Sequence, residues 1–124
     1  MNIIIDTHAL LWLLTNDRKL SNKGRVITRQ ASQIFIPTIV LLELLYLLQK
    51  QGIANEFIPI LNTLKSDIKY TIVSLDVGVV EKVVDLSSKL EMHDCIIVAT
   101  AQTLKLPIVT KDRTMKKMYK ETVW

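Results

Sequence analysis

The chain has 124 residues, 49% of them apolar and 23% charged, with only 3 glycines and 3 prolines. That length suits one compact domain that hides roughly two thirds of its unfolded surface, and the composition excludes a disordered or low-complexity chain. A formal net charge of +4 favours an anionic partner such as nucleic acid through long-range attraction, which is a weak indication by itself.

Asn2 to Asp6 is a short β-branched run, and Leu10, Leu11, Leu13 and Leu14 after it predict a short helix. Ser21 is placed to cap a polar, basic helix through Arg29, and Gln33 to Ile36 reads as a second strand. Pro37-Thr38 ends that strand and caps the next helix, Thr38 to Gln51, the most apolar segment of the chain; Gly52 sits where a C-terminal cap belongs. Within Ile53 to Ser66, Phe57, Ile58, Ile60, Leu61 and Leu64 recur at helical spacing, so Pro59 must lie in the first turns or bend the helix. Tyr70 to Leu75 predicts a third strand. Asp76 then caps a helix reaching about Leu90, with Val79, Val80, Val83, Val84 and Leu86 as its buried face. Asp94 opens a helix through Leu104, and Pro107 to Thr110 forms a fourth strand. Asp112 caps a short basic helix through Lys120, and Thr122-Val123-Trp124 adds a last edge strand.

No uninterrupted apolar run reaches the ~18 residues needed to span a bilayer. The opening MNIIID has no basic segment or cleavage site of a secretory signal, and the single cysteine, Cys95, allows no internal disulfide. The expectation is a soluble, cytoplasmic protein with no membrane partner. Short strands alternating with helices argue for a parallel sheet covered by helices on both faces, where ligand sites lie beyond the carboxyl ends of the strands near a topological switch point.

Four carboxylates stand where such a site would form: Asp6 at the end of the first strand, Glu43 in the helix after the second, Asp94 at a helix start and Asp112 beyond the fourth strand. Each also has a plain structural reading. Asp94 and Asp112 occupy N-cap positions, where an aspartate binding backbone N–H groups is ordinary, and Asp6 can end a strand in an Asx turn. Asp76 has only the capping role. Glu43 is harder to explain, being the only charge between Ile39 and Leu48 and having no Lys or Arg three or four residues away. A carboxylate there is costly unless a bound cation or an Arg from elsewhere satisfies it. A carboxylate cluster without a His or Cys pattern suits a hard, oxygen-seeking ion, Mg²⁺ or Mn²⁺, rather than structural zinc. One or two such ions would make the mutual repulsion tolerable, and they offer water activation and charge stabilisation for phosphoryl transfer.

These residues resemble the PIN-domain ribonucleases, and within them the VapC-type toxins of toxin-antitoxin pairs. IIIDTHALLWLL resembles the first motif of the family, with Asp6 as its acid; IFIPTIVLLELL is similar to the second, with Glu43; HDCIIVATAQTLKLPIVTKD resembles the third and fourth, carrying Asp94 and Asp112. The resemblance covers the whole chain as a single PIN-like nuclease domain over 1–124. It implies a three-layer α/β/α sandwich with a mostly parallel central sheet, Mg²⁺ or Mn²⁺ held by the four acids, and hydrolysis of RNA phosphodiesters. It also implies that Thr110 supports the acids, that the protein forms a homodimer, and that a small cognate antitoxin covers the acidic pocket. Members sharing the opening often carry two aspartates around the third motif, where this chain has only Asp94, preceded by His93.

Other residues carry less. His8 could contact substrate but reads first as local packing at a helix start, His93 stays open between structure and function, and Cys95 reads as an inert buried thiol; Trp12 and Trp124 read as core and edge packing, though the resemblance allows them to contribute to a partner surface. Lys111, Arg113, Lys116, Lys117 and Lys120 form a basic helix face, of which Lys111, Arg113 and Lys116 are candidates for holding substrate phosphates beside the acids. Two other function classes share these features. A receiver-like signalling domain would need Asp76 as phosphoacceptor at the third strand end, and a non-catalytic binding module would use the acids only as caps.

Overall fold

A computed structural model describes residues 1–86 and 89–124. In chain order the elements are β1 (Asn2–Ile5), α1 (Thr7–Leu14), α2 (Asn22–Gln30), β2 (Gln33–Pro37), α3 (Thr38–Lys50), α4 (Phe57–Ser66), β3 (Tyr70–Val73), α5 (Val77–Val83), α6 (Met92–Leu104), β4 (Ile108–Val109), α7 (Arg113–Met118) and β5 (Thr122–Val123). Among the described residues the strands form one five-stranded sheet in the order β3-β2-β1-β4-β5, with every neighbouring pair parallel. With its helices it makes the expected α/β/α sandwich.

The central strands are β-branched because both of their faces are covered. Ile3, Ile4, Ile5, Ile36, Ile108 and Val109 are all fully buried, and Val40, Leu44 and Leu48 of α3 reach the same core. In α6 every residue from Cys95 to Ala101 is buried, so that helix has little wet face there. From β1 the chain steps outward to β2 and β3, then returns to the other side of β1 to lay down β4 and β5. The direction reverses between β1 and β4, and the crevice of such a sheet opens at that point.

Local chemistry sets several boundaries as anticipated. Ser21 Oγ accepts from the Gly24 N–H at 2.9 Å and Asp76 Oδ1 from the Val79 N–H at 3.0 Å. Pro59 falls in the first turn of α4, where a missing N–H costs nothing. Gly52 has φ of 73° just past α3, a left-handed conformation glycine adopts without strain.

Several expectations need correction. β3 ends at Val73, and α7 at Met118. Pro37 occupies the cap of α3 without a side-chain hydrogen bond, so Thr38 does not cap it. The helix after Asp76 ends at Val83; Val80 and Val84 are exposed, at 52% and 72%, while Val79 and Leu86 are buried. A valine-rich segment has little intrinsic helix stability, and only one stripe of it reaches the core. Positions 87 and 88 of that expected helix lie outside the described residues. Glu91, not Asp94, holds the cap position of α6, and Asp94 lies in its first turn.

Candidate active site

Asp6 and Asp112 follow the two strands that flank the switch point. Asp6 caps α1, with Oδ1 accepting from the Ala9 N–H at 2.9 Å. Asp112 caps α7, with Oδ1 accepting from the Met115 N–H at 2.9 Å. A buried hydroxyl joins them: Thr110 Oγ1 donates to Asp6 Oδ2 and accepts the Asp112 N–H at 3.0 Å. Capping and clustering therefore coexist, because each carboxylate oxygen has more than one lone pair to offer.

Glu43 and Asp94 come from the facing helices α3 and α6. The Thr7 hydroxyl donates to Glu43 Oε1 at 2.7 Å, and His93 Nε2 stands 3.2 Å from Glu43 Oε2. The same imidazole nitrogen is 3.3 Å from Glu91 Oε2 and 3.7 Å from Asp94 Oδ1. The odd charge on α3 thus meets a hydroxyl and an imidazole rather than an arginine. All four acids line one cleft of about 750 Å³, together with Thr7, Glu91, His93, Lys111 and Arg113. Lys116 is exposed on α7 and does not line it.

The electrostatics are those of crowded acids. Burial pushes the Asp6 carboxyl above its ordinary range, opposed by the hydrogen bonds from Thr110 and Ala9. Burial also raises Asp94, to about 6; His93 pulls it down, and the charges of Asp112, Glu43 and Glu91 push it up. A divalent cation is the group that relieves such a cluster, and an oxygen-rich donor set fits Mg²⁺ or Mn²⁺. Ligand atoms of Glu91, His93 and Asp94 lie within 4.8 Å of one another, close enough to add to the donor set.

The PIN domain family model matches residues 3–121. The chain belongs to the PIN domain family. Solved PIN-like structures agree in fold. A toxin-antitoxin complex from Klebsiella pneumoniae aligns with TM-score 0.74 at 22% identity, covering 98% of this chain and 96% of that one. VapBC2 from Rickettsia felis, bound to a DNA fragment from its promoter, gives 0.72 at 17%, covering 100% of both chains. VapC20 of Mycobacterium tuberculosis, a Sarcin-Ricin loop cleaving toxin, gives 0.71 at 12%, covering 94% and 95%. No curated protein sequence matches the chain.

Within this PIN fold the strand order also disposes of the receiver reading. A receiver sheet runs 2-1-3-4-5, with the third strand beside the first. Here β3 is an edge strand two places from β1, and Asp76 does not line the cleft. The sequence does not single out Thr7, Glu91, Ile97 or the pairing of His93 with Glu43, and His8 and Trp12, expected as packing, also line the cleft. Thr7 had a signal, since it directly follows Asp6. Glu91 and His93 had only their proximity to Asp94.

Proposed function

We propose that this PIN protein is a divalent-metal-dependent endoribonuclease acting as the toxin of a toxin-antitoxin pair. The observation that carries the reading is the convergence of Asp6, Glu43, Asp94 and Asp112, from four separate elements, on one cleft at the switch point of a PIN sheet. In this reading the four carboxylates hold the metal, with Glu91 and His93 at its margin. The chemistry supplied by one or two Mg²⁺ or Mn²⁺ ions, when bound, is water activation and neutralisation of charge on the phosphoryl group.

The chain's own residues do the rest. Thr110 and Ala9 fix both oxygens of Asp6, and Thr7 fixes Glu43, so the acids are preorganised rather than free to rotate. Lys111 and Arg113 supply positive charge on the cleft wall, which a nuclease needs to bring a polyanion against its own carboxylates. Lys116 would hold phosphates further along the strand.

Toxin–antitoxin complexes among similar folds support a small antitoxin partner. Leu42 and Tyr46 of α3, about 60% exposed, offer apolar surface for such a partner or for a homodimer. Among the described residues no helix is long and apolar enough to cross a membrane, and Cys95 is a free, buried thiol; we place the protein in the cytoplasm.

The decisive comparison is RNA cleavage by wild type and Asp6→Asn in Mg²⁺ or Mn²⁺. A loss of at least about a hundredfold is expected, the upper end of what removing even an outer-shell partner of a metal costs; equal rates would sink the proposal. Mn²⁺ titration by calorimetry separates it from a non-catalytic module, which would give no binding heat. Light scattering should show a dimer, and a small reading frame should neighbour the gene.

A further inference from the structure

Beside the acids the cleft has a second kind of wall. His8 and Trp12, one helical turn apart on α1, both line it, with ring centroids 5.6 Å apart and planes tilted by 49°. Trp124 braces Trp12 from the end of β5, at 5.7 Å and 58°. The ammonium groups of Lys111 and Lys19 stand 5.9 and 6.0 Å from the Trp12 ring centroid, at the outer limit of cation–π attraction. Neither lysine forms an ion pair among the described residues, and His8 is exposed while Trp12 is only partly covered.

Packing alone accounts for part of this arrangement, since Trp12 touches the core. It does not account for an aromatic surface left open on the wall of a charged cleft, with two lysines near one of its rings that form no ion pair among the described residues. Single strands are held by that combination: bases stack on rings, whatever their sequence, and neighbouring cations take the phosphates.

We propose that Trp12, flanked by His8 and braced by Trp124, is a stacking platform for one base of the RNA, next to the phosphate that lies at the acids. Lys19 and Lys111 engage that nucleotide's phosphates. The assignment rests on the ribonuclease reading and adds to it the requirement for an unpaired base beside the cut.

The test uses the full chain carrying Asp94→Asn, which removes cleavage, with two probes: an octaadenylate RNA and an abasic RNA octamer of equal charge. Trp124→Phe leaves Trp12 as the only tryptophan, and octaadenylate should quench its fluorescence while the abasic octamer does not. Trp12→Leu should weaken octaadenylate binding by roughly 5- to 150-fold and leave abasic binding unchanged, and Trp12→Phe should restore most of the loss. Unchanged octaadenylate affinity in Trp12→Leu would overturn the proposal and leave this surface to a protein partner. An equal loss for both probes would also overturn it, because the ring would then act on phosphate contacts or on folding. If wild type neither binds nor cleaves RNA, the ribonuclease reading fails and the platform with it; cleavage that is indifferent to Trp12 removes the platform alone.

Discussion

Replacing Thr110 by valine deletes one hydroxyl and almost no volume, at a residue 3% exposed. That hydroxyl donates to Asp6 and accepts the Asp112 N–H. A hydrogen bond to a charged group contributes about 1.5–3 kcal/mol, and an orphaned buried N–H costs about 1–3; an added methyl returns about 0.8. The expected loss for metal-free protein at pH 8 is therefore about 2–5 kcal/mol, towards the lower end because the Asp112 N–H is only partly buried. The loss must also depend on pH. Burial already raises the Asp6 carboxyl, and the Thr110 bond is the largest influence pulling it back, so the variant's Asp6 is raised further. A carboxyl that holds its proton to higher pH in the folded than in the unfolded state loses stability as pH climbs from about 3.9 through the folded pKa. In Thr110→Val that window is wider, and the deficit at pH 8 should exceed the deficit at pH 5. Urea denaturation in chelator, at both pH values, measures it, with Thr110→Ser expected to retain most of the stability. A deficit below about 0.5 kcal/mol, or one equal at both pH values, would refute the reasoning, since Asp6 would then not depend on the hydroxyl.

Asp94→Asn should stabilise the metal-free protein at pH 7.5, by on the order of 1 kcal/mol, with no gain at pH 4. Wild type loses stability as pH rises from 3.8 to about 6 in ionising this crowded carboxyl, and asparagine does not ionise; melting curves in chelator check it. For the same reason Mn²⁺ binding should be about tenfold weaker at pH 5 than at pH 7.5 and should release protons, seen as a binding heat that varies with buffer; a pH-independent affinity would exclude Asp94 from the metal site. Leu44→Ala, at a fully buried position of α3, should cost about 2–5 kcal/mol, read as a lower urea midpoint with unchanged slope.

The fold was legible because β-branched runs such as Ile3-Ile4-Ile5 and Ile34-Phe35-Ile36 have few alternatives to buried strands, and because Ser21 and Asp76 mark helix starts by capping them. Ends were less legible. The Val-rich helix after Asp76 looked longer because spacing alone does not tell a valine that reaches the core, such as Val79, from exposed Val80. Leucines on every side of α3 likewise hid that Leu42 faces outward. At the site, Glu43 was conspicuous as a misplaced charge, but its partners Thr7 and His93 are 36 and 50 positions away and nothing local points to them. Asp94 reads as a cap in sequence because an acidic residue within the first turn of a helix looks the same there as one at its edge.

The pairing of β4 with β1 joins Ile108 to Ile4 and Val109 to Ile5, and the Thr110–Asp6 bond closes the same seam across 104 positions. Such a long-range closure costs more loop entropy than the local β1-α1 and β2-α3 contacts and is correspondingly slow to form. On a ribosome the first acid is made about a hundred residues before the strand that completes its surroundings. Until Thr110 and Asp112 have been added and docked, the nascent chain carries Asp6, Glu43 and Asp94 without the fourth acid or the hydroxyl that holds the first, so on the proposed reading nuclease activity would wait for the end of synthesis.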